Sequence, residues 1–189
     1  MKKFALIILL ALELVVSGCG TSGTPSTTTN TQATGNWEAQ LTGGTDQASL
    51  LNFVTTFTVT NSGPLNVTGF GFFNAGACFA TGTNAETVSG AATLTSSSTN
   101  AVTGSLNLTI TSSTNGSVLT LSAGTLTGTS NGTIGTTGTL SNGVVVGTWT
   151  LAPGSGVTGC NSGGGSYILC QDKATCTPAT AAAVAKKSD

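Results

Sequence analysis

Apolar residues recur at every second position through much of the chain, with threonine, serine or asparagine between them. In LNFVTTFTVT, Leu51, Phe53, Phe57 and Val59 share one parity, and Asn52, Thr56, Thr58 and Thr60 take the other. In SLNLTIT, Leu106, Leu108 and Ile110 alternate with Asn107, Thr109 and Thr111. Leu119 and Leu121 share a face further on, and Val145, Gly147, Trp149 and Leu151 oppose Thr148 and Thr150. A period of two predicts strands with one buried face, and threonine suits a pleated surface. Nine segments fit: 36–42, 51–60, 65–73, 88–96, 102–111, 117–127, 132–140, 143–151 and 164–170. Asn61-Ser62-Gly63-Pro64, Asn115-Gly116, Asn131-Gly132 and Asn142-Gly143 between or within them predict tight reversals, because Asn and Gly tolerate the positive φ of hairpin turns. Gly124-Thr125-Leu126, Gly138-Thr139-Leu140 and Gly147-Thr148-Trp149 read as hairpins of similar turn chemistry rather than as a solenoid.

Strands joined in sequence by short turns make an antiparallel meander, and each apolar face must be covered. The predicted fold is all-β: about eight to nine strands closed into a small barrel, with a flattened sandwich as the alternative. Charge favours closure. Only 6% of the chain is charged, against roughly 25% in ordinary domains. Open edges are commonly protected by lysine, and the segment 35–171 contains none.

The same scarcity excludes function classes. The chain has no histidine and no arginine, and between Gly20 and Gln171 the charged residues are Glu38, Asp46 and Glu86. A nucleic-acid surface needs cations to displace counterions, so no nucleic-acid partner is expected. Histidine-dependent nucleophilic catalysis lacks its base, and a zinc site lacks its ligand cluster. Only two of three scattered carboxylates in one cleft would make an enzyme. The expectation is a non-catalytic protein with no metal and no cofactor.

The chain opens MKKFALIILLALELVVSGCGTSG. Its apolar run is interrupted by Glu13 and is shorter than the ~20 residues needed to span a bilayer. Two lysines, an apolar stretch and then small residues make an export signal. Val16-Ser17-Gly18-Cys19 resembles the lipobox of bacterial lipoproteins. That resemblance implies cleavage after Gly18 and lipid on Cys19, with the membrane as partner through that lipid. Gly20 in place of aspartate implies passage to the outer membrane by the enteric sorting rule. The domain plan follows: a signal at 1–18, a lipidated terminus and flexible linker at 19–34, the β domain at 35–171, and a C-terminal tail at 172–189 expected to be disordered. A flexible 15-residue linker spans roughly 20 Å. The Thr/Gly-rich texture also resembles uncharacterised outer-membrane lipoproteins of environmental bacteria, a resemblance that implies no activity.

Setting Cys19 aside leaves Cys78, Cys160, Cys170 and Cys176, an even set in an exported chain and hence two disulfides. Of three connectivities, 78–160 with 170–176 is favoured; the alternative joins Cys160 to Cys170 across a local hairpin.

Gly35-Asn36-Trp37 resembles the G-x-W at the first strand of lipocalins and avidin-like barrels, where the tryptophan plugs the closed end. The arginine that packs over it in lipocalins has no counterpart here. GFGFFNAGACFA concentrates Phe70, Phe72, Phe73 and Phe79, with Phe70 and Phe72 on one face and Phe73 on the other. These aromatics read first as core. The functional alternative makes Trp37, Phe70, Phe72 and Trp149 the wall of a cavity for a small apolar ligand. The function expected is a lipid-anchored envelope protein in a structural or surface-interaction role with an envelope protein as partner; the alternative is a lipocalin-like carrier.

Overall fold

The computed structural model describes residues 36–43, 51–59, 61–73, 76–80, 82–83, 86–135 and 138–171. The segments expected to be signal, linker and tail, with Cys19, Asp46 and Cys176, lie outside them. Ten strands are described: β1 (Asn36–Thr42), β2 (Phe53–Thr58), β3 (Ser62–Pro64), β4 (Asn66–Phe72), β5 (Gly82–Thr83), β6 (Glu86–Ser96), β7 (Ala101–Ser112), β8 (Val118–Ser130), β9 (Leu140–Ala152) and β10 (Gly163–Cys170). All belong to one sheet in the order β3-β6-β7-β8-β9-β10-β1-β2-β4-β5, and every pairing is antiparallel.

The sheet curls until it nearly closes, and Leu65 ties its two sides. β3 and β4 are one extended stretch broken only at that residue. The first half pairs with β6 and the second with β2. Leu65 N donates to Gly90 O at 2.9 Å, and Leu94 N to Asn61 O at 2.6 Å, so the seam carries backbone bonds on both sides of Pro64. Proline lacks a ladder donor and belongs at such a seam rather than in the middle of a sheet. The expected reversal at Asn61–Pro64 is therefore corrected: Ser62–Pro64 is strand and brings the two sides of the sheet together.

Two further expectations are corrected. Residues 132–140 form no strand of their own; β8 runs to Ser130, β9 starts at Leu140, and the described part of the link is a loop. Asn131 holds the loop in place, its Oδ1 accepting from Thr139 N at 2.8 Å and Thr139 Oγ1 at 3.0 Å. Asn142–Gly143 does not reverse the chain either. Asn142 has φ 52° inside β9, where the β8–β9 register shifts. It is a bulge, which bends a strand without ending it. A second bulge is centred on Ala123, φ 50°, where β8 slips against both neighbours.

The alternation seen in sequence sorts inside from outside. Leu51, Phe53, Phe57, Val59, Leu106, Leu108, Ile110, Leu119, Leu121, Val145, Trp149 and Leu151 are all buried in one core cluster. The outer face is tied by hydroxyl pairs across strands, such as Thr93 with Ser105 at 2.9 Å and Ser122 with Thr148 at 3.3 Å. Such pairs contribute a few tenths of a kcal/mol to about 1 kcal/mol each. They do for the surface what ion pairs do in ordinary domains.

Gly124 and Gly147 belong to the interior, not to hairpin turns. Tyr167 on β10 lies against Gly147 on β9, its register partner, and reaches past Gly124 on β8 to Leu106 on β7. Its hydroxyl donates to Leu106 O at 3.4 Å. A Cβ on Gly147 would meet Tyr167 Cε1 at 2.7 Å, and one on Gly124 would strike the hydroxyl and the Leu106 carbonyl. Two missing side chains make the channel in which one ring lies.

Burial raises the Tyr167 phenol above its ordinary pKa. Unfolded, the group titrates near pH 10 (about 10 for a free phenol); folded, it keeps its proton longer. Its contribution is complete below about pH 10 and is lost as pH rises toward the folded value, because only the unfolded chain releases the proton in that window. The urea midpoint of the wild-type protein is therefore expected to fall as pH rises above about 10, and that of Tyr167→Phe to fall less. Parallel pH profiles would refute this.

Candidate functional site

The barrel has two ends, and chemistry-bearing side chains collect at both. One end holds the start of β1, the start of β9 and Gln171 just past β10, so the described chain enters and leaves there. Gln171 latches it: Oε1 accepts from Gly143 N at 3.0 Å, Nε2 donates to Leu140 O at 2.9 Å, and its backbone N bonds Gly143 O at 2.8 Å. Trp37 lies beneath the latch, fully buried and stacked on Phe57 with ring centroids 5.0 Å apart. A Cβ on Gly143 would meet the tip of the indole, Cη2, at 2.6 Å, so the bulge glycine makes room for the ring. The G-x-W tryptophan thus sits in the core at one end.

Trp149 is near the other end, 1% exposed, and its Nε1 donates to Thr42 O at 3.2 Å. Phe70 and Phe72 join Phe53 and Phe79 in a run of rings. Phe53 contacts Phe70 at 5.0 Å, Phe70 meets Phe72 edge-on at 5.0 Å, and Phe72 stacks on Phe79 at 4.6 Å. Phe73, of opposite parity, is 57% exposed. The four candidate ligand-binding residues Trp37, Phe70, Phe72 and Trp149 are therefore core residues at 0–6% exposure, and the two tryptophans stand toward opposite ends rather than on one wall.

Next to Phe79, a covalent and polar cap ties together loops of the described chain. Cys78, in the link after β4, is bonded to Cys160, in the link before β10, with Cα atoms 4.9 Å apart. Cys160 is thereby taken, so it does not pair with Cys170. Cys170 is itself disulfide-bonded; the expected pairing with Cys176 falls outside the described residues. Around the Cys78–Cys160 bridge, Asn115 Nδ2 donates to Cys78 O at 3.1 Å, and Asn115 Oδ1 accepts from Ser117 N at 2.9 Å. Fully buried Ser117 accepts Gly154 N on its Oγ at 2.9 Å. Asn115-Gly116 does form the predicted turn: Gly116 has φ 75° and its N–H bonds Ser112 O at 3.2 Å.

Glu86 belongs to this cap. Its Oε1 accepts from Ala80 N at 2.9 Å and its Oε2 from Ser113 N at 3.3 Å, which ties the cysteine loop to the β7–β8 turn. A carboxylate that accepts two backbone N–H groups is a clamp. Glu38 projects from the outer side of β1 near the opposite end, in register with Val54 and Cys170. The two described carboxylates do not share a cleft, and no group of three His, Cys, Asp or Glu side chains close enough to hold a metal is found among the described residues.

Tyr167, Thr55 and the Glu86 clamp were not singled out by sequence reasoning. Thr55 had a signal: it occupies the buried parity of LNFVTTFTVT between Phe53 and Phe57. Tyr167 had a weaker one, an aromatic aligned with glycines that become visible as neighbours only once the register is known.

Comparison with known protein-family models, with curated proteins and with solved structures finds no match.

Proposed function

We propose that this chain is a lipid-anchored bacterial envelope protein, attached through Cys19, whose β domain acts by its outer surface and catalyses nothing. The observation that carries the anchor is the register of Lys2-Lys3, the short apolar run and Val16-Ser17-Gly18-Cys19, followed by a polar linker that leads directly into β1. What supports an external role is the division of labour in the barrel. Large side chains fill the interior, and the described acids serve a clamp and an outer strand face. Apart from Glu38, the described outer strand faces carry mainly hydroxyl and amide groups, suited to contact with another envelope component. By resemblance to sorted lipoproteins, the outer membrane is the proposed location.

Expression in a bacterial host with labelled palmitate tests the anchor. Wild-type protein should take up label and sediment with membranes; Cys19→Ala should lose the label and keep its uncleaved signal, seen as a higher mass. An unlabelled wild type, or a Cys19→Ala variant that still takes up label, would overturn the proposal. Carriage of a small apolar ligand is the second reading, favoured by the run of phenylalanines. Native mass spectrometry of protein taken from its own host decides it: a stoichiometric adduct supports carriage, and a bare mass rules it out.

A further inference from the structure

Trp37 breaks a rule the rest of the core obeys. The other buried indole, Trp149, finds a carbonyl. So does the buried Tyr167 hydroxyl. Trp37 Nε1 is fully buried and meets no acceptor among the described residues. Buried donors are almost always satisfied, because one stripped of water without a replacement is costly. The ring is not free to turn and find a partner. Phe57 covers one face, and the tip is lodged beneath Gly143. That placement keeps the pyrrole ring, with its N–H, beside β1 and the strands next to it.

The cross-strand partner of Trp37 is Thr55. Register partners point to the same side of a sheet, and both residues are buried, so both face the interior. Thr55 Oγ1 spends its proton on Gly69 O at 3.0 Å. A hydroxyl retains acceptor lone pairs after donating. An unpaired donor and an acceptor with spare capacity thus stand on adjacent strands, with Cβ atoms about 5 Å apart for a directly opposed pair. Trp37 Nε1 makes no direct bond to that hydroxyl, so an oxygen between the two would satisfy the donor.

We infer that the barrel binds a buried oxygen beside Trp37, which accepts from Trp37 Nε1 and donates to Thr55 Oγ1. The chemistry is that of a water or of the hydroxyl end of a small ligand; a buried water needs two or more polar partners, and these are two. This site is independent of the lipid anchor. It makes Trp37 and Thr55 a polar pair within an otherwise apolar cluster, at the end where the chain enters the barrel.

Nitrogen-15 labelling of the folded protein gives two indole N–H signals, assigned by Trp149→Phe. Selective excitation of water should give a cross-peak to the Trp37 indole proton from a long-lived bound water, and none to that of Trp149. If a ligand supplies the oxygen, cross-peaks come instead from non-protein protons, and native mass spectrometry shows the matching adduct. Thr55→Val should abolish the cross-peak, and Thr55→Ser, which keeps the hydroxyl, should retain it. A Trp37 proton with neither kind of cross-peak in the wild-type protein overturns the inference, as does a cross-peak that survives in folded Thr55→Val. If Thr55→Val does not fold, the wild-type spectrum and Thr55→Ser decide.

Discussion

Replacing Cys78 and Cys160 together by alanine should lower the unfolding free energy by about 4.5 kcal/mol while leaving the native far-ultraviolet spectrum unchanged, the value following from a chain-entropy treatment of the 82-residue separation. The bridge joins two connections that lie far apart in sequence, so its removal frees a long loop in the unfolded chain. Asn115, Ser117 and Glu86 still hold the cap without it, and this is why the native fold should survive. Alanine is preferred to serine because both cysteines are buried, and a hydroxyl there would add an unsatisfied group. Chemical denaturation of the wild type and the double variant measures the difference. A loss under about 1 kcal/mol would show that the bridge does little beyond what the polar cap already does.

Gly124→Ala is the second large effect, expected to cost about 3 kcal/mol, at the upper end of overpacking penalties. A single methyl at this position would run into the Leu106 carbonyl and the Tyr167 hydroxyl, and Val145 Cγ1 stands 3.0 Å away. β8 is pinned at this point by the bulge at Ala123, so the backbone has little freedom to withdraw. The effect should be coupled to the ring. In a Tyr167→Phe background the hydroxyl is gone, and the same substitution should cost about 1 kcal/mol less, a coupling of the size seen between touching residues. The Leu106 carbonyl contact remains, so the cost should not vanish. Urea midpoints of the four proteins in this cycle give the coupling directly. Additive costs would mean that the ring does not occupy the place left by Gly124.

The strands were legible because the interior of a barrel reads each strand at every second residue. Phe53, Phe57 and Val59, or Leu106, Leu108 and Ile110, can point inward together in one way only, and a slip of one residue would put all of them in water. What misled was turn chemistry. Asn142–Gly143 has the residues of a reversal and serves as a bulge, because a closing sheet needs bends within its strands as well as turns between them. Ser62-Gly63-Pro64 has the residues of a loop and serves as the seam. In both cases the local preference for unusual backbone was read correctly, and its use was set by partners distant in sequence. The candidate site was less legible for the same reason. Trp37 and Thr55 look unrelated until the register sets them side by side, and Glu86 looks like a stray acid until the cysteine loop and the β7–β8 turn come to it.

The pairing of β1 with β10 has a consequence for how the molecule comes to exist. Glu38 lies opposite Cys170, so the first and last strands of the barrel are neighbours. Every other long ladder, β6 through β9, can zip from a local hairpin as the chain emerges, but this one waits for the final segment to appear. Until then β1 and β9 each present a bare row of backbone donors and acceptors with no lysine along them to repel a neighbour. Contacts so distant in sequence form slowly. A chain cut short before Gly163 would therefore be left adhesive along two edges. The interval between emergence and ring closure is when this protein most needs to be kept apart from copies of itself.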